Sequence, residues 1–133
     1  MRKELFDNIL KCGTRATSDD FSPEDKRRIY ETMQEKGMSD GTAYNRFFRD
    51  GFDKWELRGI RRIIDQFAYE NQLDFDSYET FYKHLANKSL FKQRMKEFGM
   101  GNTTVICRFS GFNFKPWEME GIESIILVDL IDA

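Results

Sequence analysis

Residues 37–64 (GMSDGTAYNRFFRDGFDKWELRGIRRII) and residues 99–126 (GMGNTTVICRFSGFNFKPWEMEGIESII) align without a gap at a constant offset of 62 positions. Twelve positions are identical, where residue frequencies of about 5 to 7% would supply roughly two by chance. The identical pairs are Gly37/Gly99, Met38/Met100, Thr42/Thr104, Arg46/Arg108, Phe47/Phe109, Phe52/Phe114, Trp55/Trp117, Glu56/Glu118, Gly59/Gly121, Ile60/Ile122, Ile63/Ile125 and Ile64/Ile126. Upstream, Lys26/Lys88, Met33/Met95 and Glu35/Glu97 keep the register. An ungapped duplication implies one fold adopted twice. A unit of about 60 residues buries little apolar surface alone, so each copy is expected to lean on the other. The predicted units are residues 1–70 and the more degenerate 71–133.

The whole chain has 133 residues, 40% of them hydrophobic and 33% charged. That suits a globular domain with a real core and excludes most large enzyme scaffolds. The net charge of −2 excludes a nonspecific polycation, so any polyanion binding must come from a local patch. Cys12 and Cys107 are the only cysteines and His84 the only histidine. This argues against a disulfide framework, a zinc finger and a Cys/His catalytic pair, and points to a reduced, cytoplasmic setting. No apolar run approaches about 18 residues, and MRKELFDNIL lacks a signal core, so neither membrane insertion nor secretion is expected. Asp19, Asp20 and the carboxylates of LDFDSYE lack the glycine and ligand spacing of an EF-hand. No metal, cofactor, small-molecule substrate or catalysis is expected.

Local signals predict helices. Ser22, Pro23 and Asp25 form a capped helix start, Ile29 and Met33 share a face with Met38, and Gly37 supplies the left-handed stop. Trp55, Ile60, Ile63, Ile64 and Phe67 recur at helical intervals, as do Trp117, Ile122, Ile125 and Ile126, which predicts closing helices. Between them, TAYNRFFRDG accepts a short helix, whereas TTVICRFSGF taken alone favours a strand. The repeat decides for helix, because propensity is a weak prior. Asp76 with Glu79 predicts a further capped helix over SYETFYKHL, with RKELFDNILKC as its counterpart in the first copy. The expected class is all-α, two tandem helix-turn-helix-like units packed together.

A helix ending in Gly-Met, a short polar turn, then a threonine two residues before Tyr-Asn has the layout of a helix-turn-helix. Glycine permits the bend, and Met38 and Met100 would pin the corners. Residues 31–51 (ETMQEKGMSDGTAYNRFFRDG), followed by FDKWELRGIRRII, resemble the lambda-repressor-like and Cro-like proteins of phages over about a quarter of the chain, and the second copy repeats the pattern. The resemblance implies a recognition helix over residues 39–48 that enters the major groove of double-stranded DNA. Ser39 would cap it, with Asp40, Gly41, Tyr44 and Asn45 facing the bases and Thr42 on phosphate. Asparagine reads adenine through paired hydrogen bonds, and Arg46, Arg49 and Lys54 would neutralise phosphates. In the second copy the matching set is Asn102, Thr103, Thr104, Arg108 and Lys115. The implied function is a sequence-specific DNA-binding transcriptional regulator of phage or mobile-element type, with a homodimer or a host protein as a further partner.

Charge distribution agrees: residues 23–64 carry ten basic and eight acidic side chains, and residues 85–126 carry six and four. Two departures pull the other way. Asp40 places a negative charge near phosphate and Gly41 weakens the helix. Ile106 and Cys107 replace Tyr44 and Asn45 in the second copy, leaving thymine methyls, phosphates or a protein surface as its targets. The alternative is therefore a protein-binding module, a phage-encoded inhibitor or adaptor on the same scaffold. Trp55 and Trp117 are expected as core anchors rather than base-stacking platforms, and most phenylalanines as core rather than single-strand platforms. Arg58, Arg61 and Arg62 form either a phosphate-facing stripe or a solvated face balanced by Glu56 and Asp65. His84 is expected on the surface of its helix and Cys107 buried or half-buried.

Overall fold

A computed structural model describes residues 23–125. The Ser22 cap, the helix expected over residues 2–12, Cys12, Asp19 and Asp20 lie outside the described residues. Within them the chain is helical and no strand occurs. The first copy comprises α1 (Pro23–Glu35), α2 (Asp40–Asn45) continued by a π-helical turn (Arg46–Asp50), α3 (Lys54–Arg58) and α4 (Ile60–Asn71). A short α5 (Tyr78–Phe81) connects to the second copy, α6 (Lys88–Glu97), α7 (Asn102–Gly111), α8 (Pro116–Glu120) and α9 (Ile122–Ile125).

Both leading helices stop by one device. Gly37 (φ 91°) and Gly99 (φ 94°) sit in the left-handed region, and the N–H groups of Met38 and Met100 reach back to the carbonyls of Met33 and Met95 at 2.8 and 3.0 Å. That is the Schellman closure, with its apolar contact supplied by the buried methionines. Residues 102–111, strand-like by composition, are helical as the repeat requires. Equivalent bonds close the α2 and α7 segments, from Gly51 N–H to Arg46 at 2.9 Å and from Asn113 N–H to Arg108 at 3.0 Å.

The closing helices differ from the expectation of a continuous run. Each breaks at a glycine, Gly59 (φ 96°) or Gly121 (φ 88°). The two backbones cross there, so that a Cβ on Gly59 would meet the Glu120 carbonyl and a Cβ on Gly121 the Arg58 carbonyl, with no side chain able to yield. Residue 120 is the repeat equivalent of 58, so the contact is reciprocal. The cap of α5 also differs: Ser77 rather than Asp76 accepts the Thr80 N–H, at 3.3 Å, because its oxygen lies one residue closer to the first turn. His84 falls in the turn beyond α5 and is exposed.

Crossing at the glycines exchanges partners between the copies. The first core joins Ile29, Met33, Met38, Ala43 and Phe47 to Trp117, Ile122 and Ile125 of the second copy. The second joins Phe91, Met95, Met100, Val105 and Phe109 to Trp55, Ile60 and Ile63 of the first. Backbone bonds repeat the swap, from Trp55 N–H to Phe98 O at 3.0 Å and from Trp117 N–H to Lys36 O at 3.1 Å. Burying a large apolar side chain is worth about 1.5–3 kcal/mol, so three residues from the other copy contribute roughly 5–9 kcal/mol to the first core. Domain stabilities are about 5–15 kcal/mol in all, so neither core can dispense with the other repeat.

Candidate nucleic-acid interface

The candidate face is built by the period of α2. Ala43 and Phe47, four residues apart, face the core, which turns Ser39, Asp40, Thr42, Tyr44 and Arg49 outward. The Ser39 hydroxyl caps the helix by accepting the Thr42 N–H at 3.3 Å and donates to the Thr42 hydroxyl at 2.9 Å. Tyr44 is 50% exposed. Asn45 is half-buried, and its Oδ1 accepts from Arg49 at 3.5 Å, a bond long enough to be exchanged for a base edge. Asp40 accepts from the Gln34 amide at 2.5 Å, which anchors its charge to α1. Burial first, then Tyr44 and Asp40, push the Tyr30 hydroxyl above the usual tyrosine range, so this end of α2 is a phenol- and carboxylate-bearing surface.

Arg46 and Arg108 do not fit the phosphate role expected of them. Arg46 pairs with Glu56, with side chains 24% and 7% exposed, and its guanidinium lies 5.4 Å from the Phe52 ring centre. Arg108 pairs with Glu118 at 2.5 Å and lies 4.8 Å from the Phe114 ring centre. Each glutamate also accepts a backbone N–H at 2.8 Å, from Asp53 and Lys115 respectively. The two arginines therefore clamp α2 and α7 to α3 and α8. Both partners were visible in the sequence as identical repeat pairs of high charge, the signal that sequence reasoning left unused.

Arg49 and Lys54 remain outward. Of the expected basic stripe, Arg61 is exposed, Arg62 meets Glu123 of the other copy at 3.4 Å, and Arg58 lies 5.3 Å from the Phe98 ring centre. Glu56 is buried against Arg46 rather than set against this stripe, whereas Asp65 stays on the exposed face and accepts from the Tyr78 hydroxyl at 2.8 Å. In the second copy Asn102, Thr103, Thr104 and Lys115 are exposed. Ile106 is 44% exposed. Cys107 is also exposed, contrary to expectation, because Val105 and Phe109 occupy the inward stripe on either side of it.

Two clefts relate α2 and α7. One, about 360 Å³, joins Ser39 and Thr42 at the start of α2 to Arg108 and Asn113 at the end of α7. The other, about 400 Å³, joins Arg46 and Gly51 at the end of α2 to Phe98 and Gly99 before α7. The start of α2 thus lies across one cleft from the end of α7, and the turn before α7 across the other from the end of α2. Among the described residues, no group of His, Cys, Asp and Glu has a metal-holding arrangement, and no helix is long and apolar enough to cross a membrane.

Compared with protein-family models, curated proteins and solved structures, the chain matches none.

Proposed function

We propose that the chain binds double-stranded DNA through the outer face of α2, as a small cytoplasmic regulator of phage or mobile-element type that performs no chemistry. The observation that supports this reading is the orientation of α2 behind the Gly37 bend. Its inner face is locked by Ala43 and Phe47, while Thr42, Tyr44 and Arg49 face water and Asn45 lies half-buried beside Arg49. Asn45 and Tyr44 would read base edges, and Thr42, Arg49 and Lys54 would contact phosphate. One chain reads one half-site in this scheme, because α7 lies beside α2 and carries Ile106 and Cys107 at the reading positions. A second half-site requires a second copy.

The test is binding to mixed-sequence duplex at low salt, followed through rising salt. With Arg49 and Lys54 as its cationic phosphate contacts, the logarithmic slope should be about −2. Asn45→Ala should relax sequence preference, and Arg49→Ala should weaken all sequences alike. Absence of binding at low salt refutes the reading. A second reading, a protein-binding module, is favoured by the exposed Ile106 and by the internal pairing of Arg46 and Arg108. It predicts no duplex binding, and a partner lost on Ile106→Asp.

A further inference from the structure

The cleft between the start of α2 and the end of α7 is lined by two residues, Arg108 and Trp117, that each carry a buried hydrogen-bond donor without an acceptor. Trp117, 5% exposed, lines it, and among the described residues its indole N–H has no partner. The same holds for Nε of Arg108, also in the lining, whose Nη2 is engaged by Glu118. Lys115 opens onto the cleft, and no carboxylate among the described residues pairs with its ammonium. The Thr42 hydroxyl accepts from Ser39, which leaves its own hydrogen to donate. Glu118 is the cleft's one acid, and its Oε1 already takes Arg108 and the Lys115 N–H. Buried donors without acceptors are rare in native proteins and call for a missing acceptor.

The counterpart cleft is the internal control. At the position of Lys115 it carries Asp53, and with Asp50 and Glu97 set against Arg46, Lys54 and Lys96 it has no net charge. Lys115 and Arg108 against Glu118 leave the first cleft positive. We infer that this cleft binds an oxyanion, the phosphate or carboxylate group of a small molecule, held by the Trp117 indole N–H, Arg108 Nε, the Lys115 ammonium and the Thr42 hydroxyl. Multiple converging donors and a cation are the general chemistry of such sites. The inference does not depend on DNA binding: a duplex that fails to bind leaves it standing.

The full chain has two tryptophans, hence two indole N–H signals in a ¹H–¹⁵N spectrum, which Trp117→Phe assigns. Inorganic phosphate and succinate are titrated separately at constant ionic strength. The expected result is a saturable shift of the Trp117 signal by at least one anion, with the Trp55 signal still. Lys115→Asp, which copies Asp53, should weaken binding at least tenfold, whereas Lys83→Asp, equal in charge and remote, should not. The unmoved Trp55 signal shows that each variant is folded. A short duplex that shifts Trp117 and competes with phosphate identifies the DNA backbone as a source of the oxyanion, whereas a shift by free anions alone identifies a small molecule, and either supports the site. The inference is overturned if neither anion saturates, if both indoles move alike, or if Lys115→Asp binds as well as the parent.

Discussion

Gly59→Ala tests the crossing on which the exchanged cores depend. At φ 96° a non-glycine residue incurs backbone strain of about 1–3 kcal/mol. Its Cβ would lie 2.5 Å from the Glu120 carbonyl oxygen, a backbone atom held by the equally close packing at Gly121, and overpacking of this kind costs about 1–3 kcal/mol more. Lower entropy of the unfolded chain returns about 0.4–1 kcal/mol. The net expectation is a loss of about 1–5.5 kcal/mol, centred near 3, a large share of a stability of about 5–15 kcal/mol. In urea, with a slope near 2 kcal/mol/M, the midpoint should fall by about 1.5 M, and by no less than about 0.5 M, with the slope unchanged. Gly121→Ala should behave alike, and the double variant should lose less than the sum, because either substitution opens the same crossing. Gly41→Ala is the contrast: its Cβ meets nothing within 4 Å, and it should gain about 0.5–1 kcal/mol in helix propensity. A loss below about 1 kcal/mol for Gly59→Ala, or strict additivity, would refute the reasoning.

Removing the buried carboxylate in Glu118→Ala strands Arg108 and the Lys115 N–H. It should lower stability in a urea melt by about 2 kcal/mol, against less than about 1 kcal/mol for Glu123→Ala at the surface. Glu70 is held below the usual carboxylate range by the Gln66 amide first and Arg94 second. Its contribution should therefore be present above the unfolded value of about 4.3 and be lost as pH falls through the lower folded value. Urea melts from pH 6 to pH 3 should show a shallower acid limb in Glu70→Gln. The isolated fragment 1–70 lacks Trp117, Ile122 and Ile125, so sedimentation should find a dimer exchanging its closing helices, or an unfolded chain. A folded monomer would contradict the swap.

The repeat made much of this fold legible. It overrode the strand propensity of TTVICRFSGF, placed both Gly-Met bends and marked Trp55 and Trp117 as core, where they lie. Glycine at 59 and 121 was equally visible, but the apolar period runs through it undisturbed, and only a backbone crossing makes a break necessary. The exchange of partners was invisible for a symmetry reason. Trp55 and Trp117 are interchangeable in chemistry, so pairing each with its own copy or with the other buries the same residues. The pairing of Arg46 and Arg108 with glutamates ten residues on was not legible, because an arginine near a predicted reading helix suits phosphate until that glutamate is seen to be buried. Cys107 turned outward because the inward positions of α7 fall on Val105 and Phe109.

Amide chemical-shift mapping of the full chain on addition of a mixed-sequence duplex tests the DNA-binding proposal most directly. The proposal predicts changes concentrated at Ser39 to Arg49, with Ile106 and Cys107 moving less and the buried Ile63 and Phe91 unmoved. Changes centred on Ile106 and Cys107 with α2 silent, or no change at low salt, would contradict it.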